Sequence, residues 1–377
     1  MGKTDERITN NGKSLGGGGS EVALIELINA LPEELYNITL VLLDSDNEYA
    51  YRLKKNVNIV QLTFNSSFAK SLVSMYAFPA KVLKKLSVNS FIAYYDFISN
   101  CVTNVFEKTY DIAIDFYGYG SFVTAFLATK IQAKKKATWL HDEKPYWMKS
   151  VQKYLCEYDK IYGVSQAVVD AFCREYPHYK DKAAVFYNVI DIEEIKRKSE
   201  QDEIIPFKES FNIVTVGRLT EQKGYDIAIK AASILKKRKI NFAWYAIGGG
   251  RDEKKLKKLV EKYCLENQFV FLGRKKNPYP YMKHCDLYVQ PSRHEGYVIT
   301  LVEARALCLP ILSSDIPSAR EQIQDGINGY VAELSAEDLA DKIEYLYNNP
   351  SQRKKTVEYL KEHPIDFSTE LLKLEII

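Results

Sequence analysis

Residues 286–315 read DLYVQPSRHEGYVITLVEARALCLPILSSD. The run opens as a short apolar strand ending at Gln290 and passes through a loop with Glu295 and Gly296. A helix starting near Thr300 follows and carries Glu303, and the chain then returns to a second apolar strand, PILSSD. Strand, loop, helix and strand in this order make the crossover unit of a parallel sheet. Ligands of such sheets bind where loops leave the carboxyl ends of the strands, so this loop is the first place to look for chemistry.

Working outward, the same alternation recurs. FNIVTVG (211–217), NFAWYAIG (241–248) and FVFLG (269–273) are strand candidates separated by helical patterns. In the first half the candidates are 38–43, 57–62, 111–116, 137–140, 160–163 and 184–186. Each half therefore reads as a Rossmann-type unit. The charged stretch KRKSEQDEIIPFKES (196–210) reads as their connection. The expected division is 1–195, 196–355, and a helical segment 356–377 that packs back toward the first domain.

The N-terminus is the exception to the pattern. Gly16 to Ser20 spell GGGGS, a flexible spacer by composition, yet the amphipathic run EVALIELINAL follows at once. That favours a glycine loop at a helix start. The residues before it, MGKTDERITNNGKS, contain no run of apolar β-formers. The first strand is thus expected to be missing or irregular.

Composition excludes several classes. Hydrophobic content of 46% supports buried cores, and a net charge of +3 does not call for nucleic acid. No apolar run reaches the roughly 18 residues of a membrane span, and no signal peptide is expected at the start. The 6 cysteines are scattered without a C-x-x-C, as in a reduced cytoplasmic protein. Tyr49–Tyr95 contains no acid but carries Arg52, Lys54, Lys55, Lys70, Lys81, Lys84 and Lys85 among aromatic residues. This suits either the anionic face of a membrane or a solvated helix face.

Three loops carry candidate chemistry. In 291–315, the helix start offers free N–H groups to a phosphate. One carboxylate beside such a site grips a ribose diol, and the other reaches hydroxyls further along the ligand; two surface glutamates around an ordinary helix is the plainer reading. In VTVGRLTEQKGYDIAIKAA (214–232), Arg218 and Lys223 lie between a strand and a helix. Two cations there neutralise a diphosphate without a metal. In KKATWLHDEKPYW (135–147), His141 and Asp142 follow a strand.

Together these loops resemble retaining glycosyltransferases of family 4, the glycosyl transferases group 1, which have the GT-B fold. The resemblance runs from about Leu15 to Leu360. It is strongest over VGRLTEQKG, over FLGRKKNPYPYMKHCDLYVQPS through HEGYVITLVEA, and at DGINGYV; GVSQAVVDAF and YNVIDIEEI fit the interdomain region. The resemblance implies an α/β protein of two Rossmann-like domains facing across a cleft. It implies that Arg218 and Lys223 bind the donor diphosphate and stabilise the leaving group. Glu303 would hold the ribose, and Glu295 would contact the transferred sugar. Main-chain groups around Gly296, Val298, Thr300 and Leu301 would meet the phosphates, and those near Gly273, Arg274 and Lys275 the base. His141 would sit beside the sugar, and Gly18 and Gly19 would let backbone approach the ligands.

The implied reaction is transfer of a sugar from a nucleoside-diphosphate donor, such as a UDP-sugar, to a hydroxyl of a glycan or lipid-linked acceptor. It keeps the anomeric configuration and needs no metal cofactor and no nucleic-acid partner. Its setting would be bacterial cell-surface polysaccharide synthesis, in the cytoplasm or on the inner face of the plasma membrane. Two alternatives are a non-catalytic glycosyltransferase-like partner subunit, motivated by the N-terminus, and a GT-A enzyme holding a metal with Asp44 and Asp46 of LLDSD.

Overall fold

The computed structural model describes residues 6–12, 19–43, 49–67, 88–106, 108–118, 122–201 and 207–374. The chain divides into two compact units, Met1–Ile190 with Phe367–Ile377, and Asp191–Asp366.

The first unit is built on a parallel sheet of 7 strands in the order β3-β2-β1-β4-β5-β6-β7. They are β1 (Glu6–Gly12), β2 (Tyr36–Leu42), β3 (Asn58–Gln61), β4 (Tyr110–Asp115), β5 (Ala133–Leu140), β6 (Lys160–Gly163) and β7 (Ala183–Val185). The expectation of a missing first strand is thereby corrected. ERITNNG forms a regular strand near the middle of the sheet. It pairs with β2 from Glu6↔Tyr36 to Gly12↔Leu42 and with β4 at Ile8↔Ile112 through Asn10↔Ile114. Ladder hydrogen bonds come from the main chain, so a strand paired on both sides forms with weak β-formers when its neighbours supply the apolar surface. β2 and β4 do so, with Ile38, Leu40, Leu42, Ile112 and Ile114 buried.

The second unit carries 6 parallel strands in the order β10-β9-β8-β11-β12-β13. These are β8 (Phe211–Val216), β9 (Phe242–Ile247), β10 (Phe269–Gly273), β11 (Leu287–Gln290), β12 (Ile311–Ser314) and β13 (Tyr330–Ala332). The order is that of a doubly wound dinucleotide-binding sheet, whose switch point falls between its first and fourth strands, here β8 and β11. Neighbouring residues alternate between two cores, one on each face. Ile213, Trp244 and Leu287 pack on one side, and Val214, Tyr245 and Tyr288 on the other. A sheet covered on both faces requires such unbroken apolar strands.

The expected boundaries at 195/196 and 355/356 each cut a helix. Ile192–Ser199 lies wholly in the second unit and packs on the helices Tyr279–Lys283 and Ile299–Ala306. Asn277 Nδ2 also donates to Lys198 O at 2.8 Å, which draws the charged stretch into that unit. Helix Pro350–Glu362 belongs there as well, buried through Thr356 and Leu360. Only the terminal residues belong to the first unit, where Tyr187 N donates to Glu370 Oε2 at 2.9 Å and Tyr162 OH to Lys373 O at 3.1 Å.

Candidate active site

The loops that leave β8 and β11 meet at the switch point of the second unit. The first runs from Gly217 to Gly224 and ends in the short turn Glu221–Lys223. Gly224 takes φ 66°, and a Cβ there would fall 1.8 Å from Pro291 O. Only glycine allows the two loops to touch at this point. Across the contact, Lys223 Nζ lies 2.5 Å from Glu295 Oε1, with the two side chains 15% and 8% exposed. Arg218, five residues earlier, is exposed.

A buried polar relay sets the position of Glu295. Ser292 Oγ donates to Glu295 Oε1 at 2.7 Å and accepts from Gln290 Nε2 at 2.7 Å. Gln290 Oε1 accepts from Tyr288 OH at 2.7 Å and from Thr300 Oγ1 at 2.8 Å. Ser318 Oγ holds the main-chain carbonyl of Glu295 at 2.9 Å. Gln290, Ser292 and Ser318 are fully buried. Each buried polar atom of this relay thus has a partner, as burial demands, and the relay ties Glu295 to Thr300 at the helix start.

Helix Ile299–Ala306 begins at Val298, which makes no side-chain capping bond, and its first turn carries no acid. Leu301 N bonds back to Val298 O at 3.1 Å. An uncapped helix start beside a lysine attracts an anion through its N–H groups and dipole. One turn further, Glu303 Oε1 accepts from Tyr279 OH at 2.9 Å. At the end of β10, Gly273 takes φ 71°, and the exposed Arg274 reaches back so that a Cβ on Gly249 would meet its Nε at 3.0 Å. The predicted residues Arg218, Lys223, Gly273, Arg274, Glu295, Gly296, Thr300, Leu301 and Glu303 therefore all lie at or after the carboxyl ends of β8, β10 and β11. Direct contact joins Lys223 to Glu295, and the relay adds Thr300. Glu303 is held separately by Tyr279.

In the first unit, His141 follows β5, and its Nε2 lies 2.6 Å from Phe116 O. A carbonyl only accepts, so Nε2 carries a proton, and wherever the ring is uncharged Nδ1 is its acceptor atom. Burial pushes its pKa down to about 4. The Phe116 loop is itself fixed. Asp115 accepts from Gly118 N at 3.1 Å, Thr124 Oγ1 at 2.7 Å and Thr138 Oγ1 at 3.0 Å. Gly118 has φ 49°, and a Cβ there would overlap Trp139 O.

Other predicted features fall less clearly. Gly18 lies outside the described residues, and Gly19 opens the helix Gly19–Ala30. Asp44 and Asp46 also lie outside them, as do Lys70, Lys81, Lys84 and Lys85. Within the basic segment, Arg52 Nη2 is bound to Glu26 Oε1 at 2.7 Å, so that cation pairs inside its own unit. Among the described residues, no helix is long and apolar enough to cross a membrane.

Sequence reading missed Gln222, Gln290, Ser292, Ser318, Tyr279, and the Arg293–Asp226 pair. One signal was available: a glutamine ends the otherwise apolar LYVQ. The other contacts join residues distant in sequence.

This fold and site define a doubly wound α/β unit with a lysine–glutamate pair beside an uncapped helix start. Residues 196–363 match the family model of glycosyl transferases group 1. An uncharacterised glycosyltransferase of Methanocaldococcus jannaschii is 33% identical over 172 residues, 45% of this chain and 40% of the relative. The N-acetylgalactosamine-N,N'-diacetylbacillosaminyl-diphospho-undecaprenol 4-alpha-N-acetylgalactosaminyltransferase of Campylobacter jejuni is 30% identical over 184 residues, 46% and 49% of the two chains. The chain spans about half the length of the curated relatives it matches. Among solved structures, Anabaena HepE, in complex with UDP and glucose, matches with a TM-score of 0.74 and 18% identity over 98% of both chains. The fold is therefore GT-B, which excludes the GT-A alternative.

Proposed function

We propose that the chain is a retaining glycosyltransferase that moves a sugar from a UDP-sugar to a hydroxyl of a glycan or lipid-linked acceptor. The observation that carries this reading is the Lys223–Glu295 pair beside the uncapped start of Ile299–Ala306. Lys223, Arg218 and the helix start provide the positive groups that a departing diphosphate requires. Glu295 has one carboxylate oxygen on Lys223 and Ser292, and its second oxygen, which takes a long contact from Gln222 Nε2 at 3.5 Å, suits sugar hydroxyls. Glu303, oriented by Tyr279, accepts from the ribose diol. His141, kept neutral, acts as a hydrogen-bonding group toward the sugar and not as a cation.

In the reaction, the bond from C1 of the sugar to the phosphate oxygen breaks, and its electron pair stays on the diphosphate. The acceptor oxygen bonds to C1 on the same face. Its proton passes to the leaving phosphate oxygen, so no protein nucleophile is required. The Campylobacter relative's name carries a lipid-linked acceptor, which supports a setting in cell-surface glycan synthesis.

The test is turnover of UDP-sugars by purified protein, with UDP affinity measured by calorimetry. Transfer or slow donor hydrolysis that disappears in Glu295→Ala and Lys223→Ala, and persists in EDTA, supports the reading. Absence of both UDP binding and turnover would support the partner-subunit alternative. Membrane association through Tyr49–Tyr95 is checked separately, as binding to anionic liposomes that weakens with salt.

A further inference from the structure

Outside the ligand-facing groups, the loops after β8 and β11 are joined by a second set of contacts. Arg293 Nη1 and Nη2 bond to Asp226 Oδ1 and Oδ2 at 2.7 and 2.8 Å, a two-pronged pairing. The same guanidinium donates to Glu221 O at 2.6 Å, and Arg293 N donates to Gln222 O at 2.8 Å. Gln222 Nε2 returns to His294 O at 3.0 Å. Both side chains of the ion pair are less than one-third exposed, at 29% and 27%. The guanidinium holds the Asp226 carboxyl below the usual carboxylate range.

These bonds join Glu221, Gln222 and Asp226 to Arg293 and His294. Lys223 lies inside the first group and Glu295 adjoins the second. In the proposed reaction Lys223 also meets the diphosphate and Glu295 also meets the sugar, so their direct bond is shared with the ligand and is weakened as a tie between the loops. We infer that Arg293 and Asp226 form a clamp that holds the two loops together while Lys223 and Glu295 engage the ligand, which makes Arg293 a positioning residue. This rests on the proposed transferase reading, but the clamp itself is a feature of the ligand-free protein. Arginine suits the role, since a lysine offers no planar fork to match both carboxylate oxygens.

The experiment compares the full-length protein with Arg293→Lys, Asp226→Asn and the swapped pair Arg293→Asp with Asp226→Arg. Hydrogen exchange is followed over residues 217–226 and 291–298 without ligand, and kcat and KM for the UDP-sugar are measured on the folded fraction. The clamp predicts faster exchange in both loops for each single variant. It also predicts kcat down by roughly 10- to 100-fold, as misplacement of reacting groups by an ångström does, with KM changed by no more than about threefold. The swap restores part of both. Unchanged exchange and unchanged kcat in Arg293→Lys overturn the inference. So does a loss of thermal stability with normal kcat, which marks a purely structural bridge. If the wild-type protein shows no turnover, the function reading fails, and the exchange data still decide whether the clamp exists.

Discussion

Replacing Lys223 by methionine tests the site through stability alone. The side chain keeps most of its length and apolar bulk and loses the ammonium group with its charge and donors. Glu295 is then left 8% exposed without its cation. Removing one partner of a buried ion pair costs about 3–5 kcal/mol. Two features reduce that here: Lys223 is 15% exposed, and Glu295 keeps the Ser292 hydroxyl at 2.7 Å. The expected loss is about 2–3 kcal/mol, a fall in Tm of about 4–12 °C for a unit of this size. The double variant Lys223→Met with Glu295→Gln removes both charges. Its loss should fall short of the sum of the singles by more than about 1 kcal/mol, because neither charge is left stranded. Urea and thermal unfolding of all four proteins measure this cycle. A Tm for Lys223→Met within a degree of wild type, or strict additivity in the double variant, would show that the pair does not form as described.

Four further outcomes are expected. Glu303→Gln should weaken UDP binding by roughly tenfold, about 1.4 kcal/mol, and Tyr279→Phe by less, since it removes only the orienting hydroxyl; calorimetry with equal affinities for all three proteins would remove Glu303 from the ribose. His141 has a folded pKa of about 4 against an ordinary 6.5, so the unfolded chain binds the extra proton between those values. The His141 contribution to stability is complete above about pH 6.5 and falls as the pH drops to about 4, by at most about 3 kcal/mol; His141→Gln should flatten that part of the stability–pH curve. Cys308 has φ 52° just past helix Ile299–Ala306, and Cys308→Gly should raise stability by about 0.5–1 kcal/mol, the relief of left-handed strain less the added freedom of the unfolded glycine. Thr9→Pro removes a main-chain amide from the doubly paired β1 and should cost about 1–3 kcal/mol; stability equal to wild type in urea would place ERITNNG outside the sheet.

Most of the second unit was legible because its strands read as apolar runs, and all but the edge strand β10 are buried along nearly all of their length. FNIVTVG, FAWYAI and FVFLG needed no other signal. β13 was not predicted as a strand, being three residues long after a polar turn. Within the site, Lys223, Glu295, Thr300 and Glu303 were each legible from their place after a strand or in a first turn. Their connections were not. Lys223 and Glu295 are separated by 72 positions, and Tyr279 and Glu303 by 24. Such contacts depend on strand order, which the sequence of elements does not specify. Gln290 and Ser292 were passed over because an uncharged side chain carries no signal until burial obliges it to find a partner.

The N-terminal misreading has the largest consequence. ERITNNG looks wrong for a central strand because apolar runs predict burial, whereas strand pairing is a main-chain property. In the order β3-β2-β1-β4, β1 is the neighbour that β2 and β4 share. Without it the sheet would split, and the Phe116 loop that holds His141 would lose one side of its support. GGGGS follows the end of β1 and reaches into helix Gly19–Ala30. The two pieces it joins belong to one sheet and its covering helix, so the stretch is not a spacer between folded bodies. Of its residues, Gly19 and Ser20 open that helix, and Gly16 to Gly18 lie outside the described residues. The partner-subunit reading drew its motive from a missing strand, and that motive is gone. What such a reading must now explain is a buried lysine–glutamate pair, an uncapped helix start and a polar relay that aligns them, none of which a purely structural subunit needs.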